Sequence, residues 1–326
     1  MTDEFTQSLE YISDQLNRYV APIIFIVGVV GNILNCLILS KRTLRSNSCA
    51  LLFLISSFTS LISILIGLPT RILAGWHVDP TNTFDWACKT RAFIVFSTRT
   101  MSIWLITLAT IDRWLLSSID IHRRQMSNLK NIKRVIFIVV ILSIVFYIHM
   151  ICCYKANMND EPLKCYGKSV ECRIMTDLIY AIITIIIPLS LMIIFGLIII
   201  SNVHHIHTRV HTRTIISTVV SSRTEELRIK KIDHHLVRML LVQVLLLTIF
   251  CIPQAIQKFY ITFKPHNLLS KQEDALNHFL YNIEVILAFI ASGMPFYVYT
   301  ISGGTVFRKA SKDFMKEVYR KLTCQL

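Results

Sequence analysis

The stretch CKTRAFIVFSTRTMSIWLITLATIDRW, residues 88–114, decides the fold. It opens on Cys88 and closes on Asp112-Arg113-Trp114, with Arg113 placed 25 residues after Cys88. As a helix rising 1.5 Å per residue, that separation covers about 37 Å, enough to cross the roughly 30 Å hydrocarbon core of a bilayer. Six further apolar blocks of similar length flank it, so the predicted spans are 19–40, 49–73, 88–113, 134–154, 175–201, 236–261 and 277–301. Of 326 residues, 53% are hydrophobic and 17% charged, where an ordinary soluble domain has about 25% charged residues. That balance argues against a soluble enzyme and for a polytopic membrane protein. With no Gly-rich or Ser-rich linker and no long repeat, a single all-α unit of seven transmembrane helices is expected.

An odd number of crossings puts the two ends on opposite sides, and charge tells which is which. Residues 1–18 carry Asp3, Glu4, Glu10 and Asp14 against Arg18, whereas the tail carries Arg308, Lys309, Lys312, Lys316, Arg320 and Lys321 against Asp313 and Glu317. Basic residues also crowd the loops on the tail's side, including Arg123, Arg124, Arg228, Lys230 and Lys231, while the opposite loops are net acidic. By the positive-inside rule the tail is expected to be cytoplasmic. The net charge of +14 is therefore a topological signal rather than a nucleic-acid surface, and no nucleic-acid partner is expected. The organisation reads as an extracellular tail at 1–18, the helical domain at 19–301 and a cytoplasmic segment at 302–326. No cleavable signal peptide is expected, because the first residues are polar and acidic.

Cys88 sits at the outer end of span 3, and Cys165 and Cys172 lie in the outer loop between spans 4 and 5. The outer side is the oxidising one. A Cys88–Cys165 bridge would pin that loop over the bundle; Cys165 ranks above Cys172, which lies close to span 5. Cys152 and Cys153 are ambiguous, and Cys36, Cys49 and Cys251 read as small residues in or beside spans.

Gly31-Asn32, Cys88, Asp112-Arg113-Trp114, Pro188, Pro253 and Pro295-Phe296-Tyr297, in this order over seven spans, resemble the marks of rhodopsin-like (class A) G-protein-coupled receptors. Within that family the pattern is most similar to invertebrate neuropeptide receptors of the FMRFamide-receptor-like kind. The resemblance implies a plasma-membrane receptor for an extracellular ligand, here a peptide, that activates a heterotrimeric G protein. It also implies an activation switch in which Arg113, held by Asp112 and by Asp233 on span 6, is released as span 6 swings about Pro253, with Pro295 breaking span 7. Several positions depart from the pattern: Ser60 stands where the sodium-binding Asp is usual, span 4 lacks its Trp, Cys251 replaces the aromatic residue before Pro253, and Met294 precedes Pro295. Sodium modulation is accordingly not expected. Val95 and Ala288 lack the Asp of amine receptors and the Lys of opsins.

An ionisable residue inside a span is costly and marks function. Arg71, Arg99, Gln254 and Lys258 are the candidate ligand contacts in the outer half of the bundle, with Glu284 as the acid deep in that region. Arg99 lies 14 residues before Arg113, about 21 Å along the helix and too deep to snorkel. Two readings stand: Arg99 and Glu284 form a structural ion pair, or a ligand enters between them. Gln257 either lines the span 6 wall or faces lipid headgroups. Residues 305–322 place Val306, Phe307, Ala310, Phe314, Val318 and Leu322 at helical spacing, an amphipathic eighth helix for the inner leaflet, with Cys324 as a candidate lipidation site. The histidines of residues 202–235 read as a solvated loop, and no metal or cofactor is expected. A transporter or channel, or a non-signalling decoy receptor, are the alternatives. Against the first, no paired halves with broken helices occur; no phosphate loop or nucleophile elbow supports catalysis.

Overall fold

The computed structural model of the chain describes residues 2–41, 47–118, 120–158, 164–213, 223–263, 270–302, 316 and 320, with the backbone alone at 2–3, 203–213, 223–236, 271 and 302. Among the described residues, seven helices are long and apolar enough to cross a membrane: Glu4–Leu39, Ser48–Gly75, Asp85–Ser117, Leu129–Cys153, Val170–Asn202, Val237–Phe263 and Gln272–Gly293, spans 1 to 7 in order. Span 3 is the most buried of them and stands at the centre of the bundle.

The helix starts are written into the sequence. Asn47, Asn128 and Ser169 cap spans 2, 4 and 5 by accepting backbone N–H groups. Ser270 and Glu273 form a reciprocal capping box at the head of span 7, satisfying donors that have no partner within the helix. Span 7 stops at Gly293, and a short helix, Pro295–Ser302, resumes after Met294, because Pro295 has no N–H to continue the ladder. Span 5 contains a π-helical stretch, Tyr180–Ile186, just before Pro188.

The outer end of span 1 departs from expectation. Residues 1–18 read as a tail, yet helix Thr2–Gln15, a π-helical turn Leu16–Val20 and helix Ala21–Leu39 run end to end. The extension leans on span 7, where Asn282 Nδ2 donates to Ser13 O (3.2 Å) and Ser13 Oγ (2.8 Å). Amphipathic spacing and a partner helix outweigh the polar composition of this segment.

In a bilayer, helices associate through close packing of small residues and through buried hydrogen bonds of about 0.6 kcal/mol each. Both occur. A Cβ on Gly293 would sit 3.0 Å from the Gly28 Cα, so these two glycines let spans 1 and 7 touch, and Asn32 Nδ2 donates to Ser292 O at 3.1 Å beside them. Ser102 on span 3 bonds Ser56 and Ser60 on span 2 at 2.9 and 2.7 Å. Thr184 on span 5 joins Thr100 at 2.6 Å and Tyr147 at 2.5 Å.

The outer loop between spans 4 and 5 forms a two-stranded antiparallel hairpin, β1 (Tyr154–Lys155) and β2 (Tyr166–Gly167). Two disulfides hold it: Cys88–Cys165 ties it to span 3, and Cys153–Cys172 ties the end of span 4 to the start of span 5. Cys172, the alternative partner for Cys88, is thus engaged elsewhere. Cys49 and Cys251 are buried and free, Cys36 is half-buried and Cys152 is exposed.

The proposed eighth helix and Cys324 lie outside the described residues apart from positions 316 and 320, as does the side chain of Asp233.

Candidate functional site

Two connected hollows open on the side of the bundle that carries the hairpin. The upper, a vestibule of about 600 Å³, is lined by the N-terminal helix (Glu10, Asp14), the outer loops (Asp79, Lys164) and span 7 (Asp274, His278). The lower, a cavity of about 50 Å³, lies under the hairpin among spans 2, 3, 5, 6 and 7, with Arg99, Tyr180, Gln254, Lys258 and Phe289 in its wall. Arg71, Arg91, Cys165 and Tyr281 line both, so the lower cavity is reached through the vestibule. The Cys88–Cys165 bridge sets the hairpin as its roof, and Tyr180, the first residue of the π-helical stretch of span 5, stands in its wall.

Arg71, Arg99, Gln254 and Lys258 all line this cavity. Arg99 is 5% exposed; its guanidinium lies 5.8 Å from the Tyr180 ring centroid and 5.9 Å from that of Phe289. Arg71 lies 5.2 Å from the Tyr281 ring. Gln254 Oε1 accepts from Tyr180 OH at 3.0 Å. Gln257 is buried outside the cavity lining and donates to Asn277 O on span 7 at 2.8 Å.

Glu284 is buried but does not line the cavity, and no ion pair joins it to Arg99 among the described residues. The structural-pair expectation therefore gives way to a different pair. Lys258 Nζ lies 2.6 Å from Asp177 Oδ1, both fully enclosed, and Tyr166 OH donates to Asp177 Oδ2 at 2.7 Å. This triad links span 6, span 5 and the hairpin roof. Burial beside the Asp177 carboxylate pushes the Tyr166 phenol well above its usual range, so it remains a donor. Asp177 was missed because it sits in the polar first turns of span 5, where an acid looks like ordinary helix-start chemistry. Its register on the same face as Tyr180, three residues on, was the available signal.

At the inner end, Asp112 and Arg113 are 1% and 2% exposed. Arg113 Nη2 lies 3.3 Å from Asp112 Oδ2 and donates to Asn47 Oδ1 at 2.7 Å. Asn47, the cap of span 2, is a partner that sequence reading did not name. Asp112 Oδ1 accepts from Ser127 Oγ at 2.5 Å, fastening the inner loop to span 3. Nearby, Tyr299 OH donates to Gln243 Oε1 at 2.5 Å, joining the helix after Pro295 to span 6 ten residues before Pro253. Pro253 lies inside the span 6 helix.

A seven-helix bundle with an arginine locked at its inner end and a roofed cavity at its outer end is the frame of a transmembrane receptor. Residues 31–299 match the family described as 7 transmembrane receptor (rhodopsin family), and the chain belongs to that family. It is similar to the human Neuromedin-U receptor 1, 28% identical over 42% of this chain and 33% of that receptor. It is also similar to the Pyrokinin-1 receptor of Drosophila melanogaster (30% identical over 39% of this chain and 29% of the relative) and to the human Growth hormone secretagogue receptor type 1 (27% over 36% and 31%). The matched stretch spans about a third of the length of these relatives.

Proposed function

We propose that the protein is a plasma-membrane receptor that binds an extracellular peptide in the outer cavity and activates a heterotrimeric G protein at its inner face. The observation that carries this reading is the continuity of vestibule and cavity, which together suit the end of a peptide, in a chain whose relatives include neuromedin-U and pyrokinin receptors. Membership of a receptor family supports it over a transporter or channel, and it assigns no catalytic step to the chain.

In this reading Arg71, Arg99, Gln254 and Lys258 meet the ligand, while Glu284 acts from behind the wall through Lys258. Ligand binding shifts a two-state bundle, so the ligand must bind the active arrangement better than the resting one. Arg113 is the inner switch, held at rest by Asp112 and Asn47 and, through span 6, by Asp233; Pro253 and Pro295 supply the bends about which spans 6 and 7 move. The N-terminus faces outward and the basic inner loops face the cytoplasm, where each Lys or Arg near an anionic leaflet contributes about 1 kcal/mol. Cys324 is the candidate acyl anchor.

The test is G-protein dissociation in living cells against a neuropeptide panel, with wild type and Arg113→Ala at matched surface levels. A peptide response that disappears in Arg113→Ala is expected. Silence from every peptide with every G protein would overturn the reading.

A further inference from the structure

We propose that the lower cavity is an anion site, built to take a carboxylate carried by the leading end of the ligand; the proposal rests on reading this cavity as the ligand site. Three guanidinium groups converge on it from spans 2 and 3. Arg71 Nε, Arg91 Nε and Arg99 Nη2 are each buried without a hydrogen-bond partner among the described residues, and Arg99 is 5% exposed. Among the described residues no acid forms an ion pair with them. Asp177 is committed to Lys258 and Tyr166, Asp79 directs both carboxylate oxygens to Thr81, and Glu284 lies outside the lining. The aromatic faces of Tyr281, Tyr180 and Phe289 attract the guanidinium groups of Arg71 and Arg99, but a ring quadrupole does not satisfy these three N–H donors. A planar fork of donors in a confined space matches a carboxylate in a bidentate grip.

Size and charge order the ligand. The lower cavity, about 50 Å³, has room for roughly four water-sized positions, which suits a carboxylate and little more. The vestibule of about 600 Å³ is large enough for several residues, and its wall carries Glu10, Asp14 and Asp274. Positive charge at the floor favours a ligand with a carboxylate in front, and a vestibule that carries Lys164 and His278 beside these acids admits residues of mixed charge behind it. An amide end offers no charge to the floor.

The experiment uses the full-length receptor in lipid nanodiscs and follows its thermal melting with three probes: acetyl-Phe-Leu as the free acid, the same dipeptide amidated, and acetyl-Phe-Asp amide. Wild type, Arg99→Gln and Arg91→Gln are compared. The free acid is expected to raise the melting midpoint of wild type while the amidated twin does not, and to bind Arg99→Gln about thirtyfold more weakly, the equivalent of about 2 kcal/mol. Stabilisation by acetyl-Phe-Asp amide as well would mean that a side-chain carboxylate serves equally; its absence would restrict the site to a carboxyl terminus. If Arg99→Gln does not fold, the loss is read in Arg91→Gln. Equal effects of acid and amide, no effect of any probe at millimolar concentration, or full retention of the acid effect in both variants would overturn the proposal. The receptor reading fails separately: G-protein activation by an amidated peptide that is indifferent to Arg99→Gln would leave the receptor standing without its anion site, and carboxylate binding with no G-protein response would do the reverse.

Discussion

Lys258 and Asp177 form the most consequential side-chain pair in the outer half of the bundle. Each is enclosed, and removing one partner of such a pair strands the other charge away from water at a cost of about 3–5 kcal/mol. Asp177→Asn is therefore expected to lower the melting temperature of the purified receptor sharply. Asp177→Leu combined with Lys258→Met should recover most of that loss, because two apolar groups of similar volume need no counter-charge. A double variant as unstable as the single ones would show that the pair is not the source of the effect. Tyr299 gives a second test, at the inner end. Its bond to Gln243 joins spans 7 and 6, and losing a bond of about 1 kcal/mol changes a two-state equilibrium roughly fivefold. Tyr299→Phe is expected to raise ligand-free G-protein activation by up to that factor; unchanged basal activity at equal surface expression would remove this contact from the switch.

The doubly bridged hairpin shows what the chain pattern discloses and what it withholds. Cys88 and Cys165 were legible as the favoured pair because the expected topology put both on the same side, with Cys172 as the alternative, yet Cys153–Cys172 was not, since Cys153 adjoins a second cysteine and sequence carries no sign of which one faces the loop. The Cys153–Cys172 bridge closes a separation of 19 residues, worth about 3 kcal/mol in the chain-entropy view. Replacing both by Ser should lower the receptor's thermal stability by up to that amount, whereas Cys152→Ser, at an exposed free thiol, should leave it unchanged. Equal losses in the two variants would contradict the pairing. Spans 2 to 7 were readable from apolar length and the proline positions, both local properties, although the caps Ser169 and Ser270 start the helices of spans 5 and 7 earlier than apolar length indicated. The extension of span 1 through residues 2–20 was not, because a polar helix that depends on a neighbour such as Asn282 looks like a solvated tail when the neighbour is out of view. Arg99 and Glu284 failed as a pair for a related reason: equal depth on two helices does not fix which faces meet.

The molecule as a whole is a bundle with its charge sorted by side, a basic-floored cavity on one side and a buried arginine on the other. Between them run polar contacts that bind spans 2, 3 and 5 to one another, while span 6 is held at its outer end by the Lys258–Asp177 pair and at its inner end by Gln243. Span 6 is thus gripped at two points on either side of Pro253, the arrangement of a lever with a fixed bend. Its movement can be read as a distance. Spin labels at Arg134→Cys on span 4 and Arg238→Cys on span 6, both exposed positions, would be placed in a Cys152→Ser, Cys324→Ser background, and the label separation measured in nanodiscs with and without nucleotide-free G protein. A receptor that couples through span 6 predicts a longer separation when the G protein is bound, diminished by Arg113→Ala; a distribution unchanged by the G protein would contradict it.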